Sequence, residues 1–132
     1  MATLAEPTTQ FARLAHPAPV PAEARAAVLA NPGFGTHFTD HMITIDWSEG
    51  KGWHNAKLGP RGPIPLDPAA SVLHYAQEIF EGLKAYRLQD GSMALFRPAA
   101  NAERFNASAR RLAMPELPIE TFVAAVRELV GA

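Results

Sequence analysis

The chain has 132 residues, 48% of them apolar, with 12 Lys and Arg against 13 Asp and Glu for a net charge of −1. That is enough for one globular domain with a real core, and the balanced charge excludes the clustered basic surface that nucleic acid or an anionic membrane demands. With no cysteine there is no disulfide framework, thiolate nucleophile or zinc ribbon, which fits a reducing, cytoplasmic setting.

Residues 1–32 carry Pro7, Pro17, Pro19, Pro21 and Pro32 among many alanines, so a loosely ordered Pro/Ala-rich arm is expected, with one short helix over 23–29. Acidic Glu6 and Glu23 stand where a signal peptide would be apolar, and no apolar run is long enough to span a bilayer. Neither export nor membrane insertion is expected. Ile43, Ile45 and Trp47 alternate with Thr44 and Asp46, which predicts a half-buried strand over 42–47. Residues 48–63, rich in glycine and carrying Pro60 and Pro63, read as a loop or an irregular hairpin connection, with 64–66 at most a short strand.

Pro68 suits the first turn of a helix running to about Ile79, after which a strand starts at Phe80. Strands over 80–88 and 92–97 flank Gln89-Asp90-Gly91, and the Asp-Gly pair supplies the positive φ angles of a hairpin turn. Pro98 opens a helix in which Ala102, Phe105, Ala109 and Leu112 recur at helical spacing until Met114-Pro115 ends it. Phe122, Val126, Leu129 and Val130 mark a last amphipathic helix. The order predicts an α+β fold, with helices packed on a mainly antiparallel sheet.

The segment Leu73-His-Tyr-Ala-Gln-Glu-Ile-Phe-Glu-Gly-Leu-Lys-Ala-Tyr86 carries the densest candidate chemistry. Strand alternation would put Phe80, Gly82, Lys84 and Tyr86 on one face and Glu81, Leu83, Ala85 and Arg87 on the other. A glycine inside a strand gives up packing, so Gly82 marks either a close ligand or backbone, or a bulge. Tyr75 and Phe80 read either as an apolar wall with a phenolic edge or as core. His37 and His41 stand four apart, but in extended chain that is about 13 Å, so one metal could not reach both. His74 is either a base or a hydrogen-bonded structural residue. Arg97 and Arg104 bracket a helix start whose free N–H groups favour a phosphate; the plain alternative is a solvated basic face paired with Glu103 and Glu116.

Three segments in order, Phe34-Gly-Thr-His-Phe-Thr-Asp-His-Met42, the stretch from Leu73 to Tyr86, and Leu95-Phe-Arg-Pro-Ala-Ala-Asn-Ala-Glu-Arg104, together closely resemble the amino-terminal domain of branched-chain amino acid aminotransferases. The likeness runs from about residue 31 to the end, giving an arm over 1–32 and a small amino-terminal domain over 33–132. The resemblance implies a pyridoxal-phosphate enzyme of fold type IV that moves the amino group of leucine, isoleucine or valine to 2-oxoglutarate and works as a homodimer. It implies Arg104 on the cofactor phosphate and Phe34, Tyr75 and Phe80 around the branched side chain, Tyr75 reaching into the neighbouring subunit's site. The family's Schiff-base lysine belongs to a carboxyl-terminal domain, and Lys51, Lys57 and Lys84, the only lysines here, lie outside its context. The chain is therefore expected to be a truncated piece with no catalytic nucleophile of its own, inactive alone. Two competing readings remain: a non-catalytic dimerisation module of the same fold, and another fold type IV aminotransferase or lyase, against which the apolar trio argues.

Overall fold

The computed structural model describes residues 9–132, in the order β1 (Ala12–Arg13), α1 (Ala22–Ala30), β2 (His41–Ser48), β3 (Gly52–Pro60), α2 (Ser71–Tyr75), β4 (Ala85–Arg87), β5 (Met93–Leu95), α3 (Pro98–Arg111) and α4 (Ile119–Gly131). The architecture is α+β. One sheet has the order β1-β3-β2, with β2 and β3 antiparallel and β1 parallel to β3; a second consists of the antiparallel pair β4-β5. Helix α4 packs against both α3 and β2.

The strand expected over 42–47 is β2, one residue longer at each end. The loop expected over 48–63 is instead largely β3, the central strand of its sheet. Its glycines are placed rather than scattered: Gly50 and Gly52, at φ +77° and +70°, make the turn closed by the Lys51 N–H to Ser48 carbonyl bond at 3.1 Å. Asn55, at φ +55°, is the extra residue of a bulge, where the pairing steps from Thr44↔Lys57 to Asp46↔His54. Its Nδ2 donates to Asp46 Oδ2 at 2.6 Å. At Gly59 a Cβ would meet Leu14 Cδ1 at 3.2 Å, so the missing side chain lets the N-terminal segment close on the sheet. Residues 64–66 form no strand, and Ile64 and Leu66 are exposed.

Within residues 9–20, the Leu14 N–H donates to the Leu58 carbonyl at 2.9 Å and Arg13 pairs with Glu128 at 2.5 Å. Thr9 Oγ1 lies 2.8 Å from Thr121 Oγ1, and the Val20 N–H donates to Asp40 Oδ2 at 2.9 Å. Residues 1–8 of the expected arm lie outside the described residues. Helix α1 covers the short helix expected over 23–29 and buries none of its side chains.

The helix expected to reach Ile79 stops after Tyr75, because Ala76 turns left-handed at φ +50°. The strand expected from Phe80 begins only at Ala85, and residues 76–84 form a strap with no regular secondary structure. The Asp90-Gly91 hairpin forms as expected, with Gly91 at φ +83°, though its strands are three residues each.

The core is small and lies around α3 and α4. Ala102 and Ala109 of α3 are fully enclosed, Leu58, Leu117 and Ala124 are also buried, and the Phe105 and Phe122 ring centroids lie 5.4 Å apart. Buried Asn106 donates through Nδ2 to the Leu117 carbonyl at 2.7 Å and accepts from the Leu117 N–H at 3.0 Å. That pair fixes the connection between the two helices. Among the described residues, no helix is long and apolar enough to cross a membrane.

Candidate functional site

The strap and α3 together form the candidate site. Gln77 Nε2 donates to the Leu112 carbonyl at the carboxyl end of α3, at 2.9 Å, and Glu81 is bound near its amino end. Residues 76–84 are therefore held along the helix at both ends, and side-chain bonds to α3 stand where a strand would need a backbone ladder. Between strap and helix lies an open depression of about 630 Å³, lined by Glu78, Ile79 and Phe80 on one side and Arg104, Ser108 and Arg111 among others on the second.

Arg104 occupies the edge of this depression in a defined pose. Its Nε donates to Glu81 Oε2 at 2.7 Å, and its Nη2 donates to Oε1. Oε1 also accepts from Asn101 Nδ2 at 2.9 Å and from the Gly82 N–H at 3.1 Å. The Glu81 side chain is only 3% exposed while that of Arg104 is 68% exposed, so the carboxylate anchors and the guanidinium projects. The hydrogen bonds from Arg104 and then Asn101 hold the Glu81 carboxyl down to about 2 from an ordinary 4.5, against the opposing effect of burial, and the same pairing raises Arg104.

A carboxyl depressed in the folded state contributes stability that is complete above its unfolded value and lost as pH falls through the folded one. The stability gap between the parent and Glu81→Gln should thus be widest above pH 4.5 and close as pH falls towards about 2. Urea melts of both across this range check it; a gap of equal size at neutral and acid pH sinks the assignment.

Of the four residues expected at a site, Arg104 and Phe80 meet in the depression, and Phe34 and Tyr75 lie outside its lining. All three aromatics are open to solvent, at 100% for Phe34, 84% for Tyr75 and 89% for Phe80. Lys84 and Tyr86 share no strand face with Phe80, since the strap is not a strand. No backbone crowds Gly82; an added Cβ would meet only the Phe80 ring, at 3.6 Å, while the Gly82 carbonyl accepts from Asn101 Nδ2 at 3.2 Å. The expected partners of the arginines are corrected as well: Arg104 pairs with Glu81 rather than Glu103, and it is Arg110 that holds Glu116. His74 is structural, its Nε2 2.6 Å from the Pro68 carbonyl, and His41 packs edge-on against His16 at 5.4 Å.

Glu81 and Asn101, which bond each other and position Arg104 at this candidate site, are the residues that sequence reasoning missed. Alternation assigned Glu81 to the face opposite Phe80, and that assignment holds only for a strand. The available signal was the i, i+3 spacing of Asn101 and Arg104, which puts an amide and a guanidinium on one side of α3.

No family model matches the chain. Curated relatives do. A probable branched-chain-amino-acid aminotransferase of Streptomyces coelicolor is 62% identical over 125 residues, covering 95% of this chain and 34% of the relative. Branched-chain-amino-acid aminotransferases of Mycolicibacterium smegmatis and Mycobacterium tuberculosis are 57% and 60% identical, over 92% and 81% of this chain and 33% and 29% of their own lengths. The homologues of this chain are thus named branched-chain-amino-acid aminotransferases, and the chain spans about a third of the length of the curated relatives it matches.

Proposed function

We propose that residues 33–132, with the arm over 1–32 before them, act as the small amino-terminal domain of a pyridoxal-phosphate transaminase. Its reaction would move the amino group of leucine, isoleucine or valine to 2-oxoglutarate. The observation that carries this reading is the exposed Arg104 guanidinium beside Phe80 at one depression, in a chain 62% identical to a protein of that name. The residues fit the cofactor's phosphate: the depression offers Arg104 and Arg111 as cations, and among the described residues nothing accepts a hydrogen bond from Arg104 Nη1. Bound pyridoxal phosphate supplies the electron sink that lets an amino group leave one carbon and join another.

The chain's own residues bind and orient. Arg104 holds the phosphate, and Phe34, Tyr75 and Phe80 form the wall for an aliphatic side chain, whose burial is worth about 1.5–3 kcal/mol. Three almost fully exposed aromatics need cover. In this reading the substrate, the remainder of a protein of the relatives' length and a second subunit supply it. Lys51 sits in the β2–β3 turn, Lys57 in the β3 ladder and Lys84 on the strap outside the depression, so the amine that carries the cofactor comes from that remainder.

The test is a joined protein in which this chain replaces the matched third of the Streptomyces coelicolor relative. It should transaminate leucine, isoleucine or valine with 2-oxoglutarate at a rate comparable to that relative, and the 132-residue chain alone should not. A folded, cofactor-loaded joined protein with no branched-chain turnover would defeat the reading, as would turnover by the chain by itself.

A further inference from the structure

We infer that Glu81, clamped by Asn101, is a positioning residue that presets Arg104 for a phosphate monoester, a role that rests on the cofactor site proposed above. An exposed arginine has four rotatable side-chain bonds, and a ligand that must order it loses affinity to that entropy. Here the ordering is already done. Glu81 engages the Nε–Nη2 edge of the guanidinium, and its own place is fixed by the Asn101 amide and the Gly82 N–H, so the whole assembly is tied to the strap and to two residues of α3.

The geometry also leaves the right part of the arginine free. A guanidinium has five N–H donors, and an acceptor on one edge leaves Nη1 and one Nη2 hydrogen for a second anion. Those are the hydrogens not spent on Glu81, on a side chain that is 68% exposed beside the depression. The carboxylate itself is 3% exposed and bound by four donors, so it is a fixed anchor and not a stand-in that a phosphate displaces.

Two consequences of removing Glu81 oppose each other. Losing its negative charge strengthens the general attraction for an anion, and losing the anchor lets Arg104 wander. The first is screened at an exposed site. The second removes the pose on which a bidentate interaction depends, and it wins.

The test compares pyridoxal phosphate with pyridoxal, which lacks the phosphate, by cofactor titration of the joined protein. Glu81→Gln should cut the preference for the phosphorylated form by about tenfold, the size expected for one weakened charge-assisted hydrogen bond. In the Arg104→Ala background the same change should cut it no further, because Glu81 acts through Arg104. An equal loss for both ligands makes Glu81 merely structural and overturns the inference. So does an unchanged or increased preference in Glu81→Gln when Arg104→Ala has lost it, a result that leaves the cofactor reading intact. If Arg104→Ala also keeps the preference, the phosphate site itself is wrong, and both fall. Should Glu81→Gln not fold, Asn101→Ala must lower the preference in the same direction, and an unchanged preference there is equally fatal.

Discussion

Arg104→Ala in the joined protein should weaken binding of pyridoxal phosphate by about 100-fold and leave pyridoxal binding unchanged. The magnitude follows from the hydrogen bonds that the guanidinium would make to the phosphate. A hydrogen bond between charged groups contributes roughly 1.5–3 kcal/mol, and a guanidinium edge offers two, part of which other donors of the site recover. Glu81 spends only the Nε–Nη2 edge, so the guanidinium still has donors for a phosphate. Removal of Arg104 leaves Glu81 with the Asn101 and Gly82 donors, so the carboxylate keeps two of its four bonds and the strap stays tied to α3 through Asn101. Pyridoxal reads any general damage to the fold, and the difference between the two ligands reads the phosphate alone. Titration of both is decisive: equal affinity of the parent and Arg104→Ala for the phosphorylated cofactor removes Arg104 from the site.

The largest expected effect on stability comes from Asn106→Ala. Asn106 is 8% exposed and satisfies both the N–H and the carbonyl of Leu117, itself 8% exposed, on the segment between α3 and α4. The substitution removes both bonds and strands two backbone groups that water reaches poorly. At about 1–3 kcal/mol for each buried group left unsatisfied, the loss should be roughly 2–6 kcal/mol. A domain has about 5–15 kcal/mol in total, so this is a large share, corresponding to a fall in Tm of about 10 °C. Urea and thermal melts of the 132-residue chain measure it, with Glu103→Ala on the same helix as an exposed control. A loss for Asn106→Ala no larger than that of the control would mean that the Asn106–Leu117 pair does not fix the helix connection.

Local patterns in the sequence determined much of this molecule. The alternation of Ile43, Ile45 and Trp47 located β2, the Asp90-Gly91 turn located the β4–β5 hairpin, and the 3.6-residue spacing of Ala102, Phe105 and Ala109 located α3. In each case residues close in sequence carry their own physical reason for the element they form. The motifs around Phe34, Tyr75, Phe80 and Arg104 likewise pointed to the family that the curated relatives bear out.

Two features were decided only when distant parts of the chain met. Residues 52–60 read as a loop because glycine, asparagine and proline weaken local strand preference, yet they form β3, since β2 on one side and β1 on the other complete their backbone hydrogen bonds. The strap over 76–84 gives the opposite lesson. Its helix and strand signals are both locally sound, but Gln77 and Glu81 find partners on α3 up to 35 residues away, and those bonds draw the segment out of either ladder. Sequence could name Arg104; the pairing of its guanidinium with a buried Glu81 exists only in three dimensions, because a hydrogen bond is set by distance and angle and not by separation along the chain.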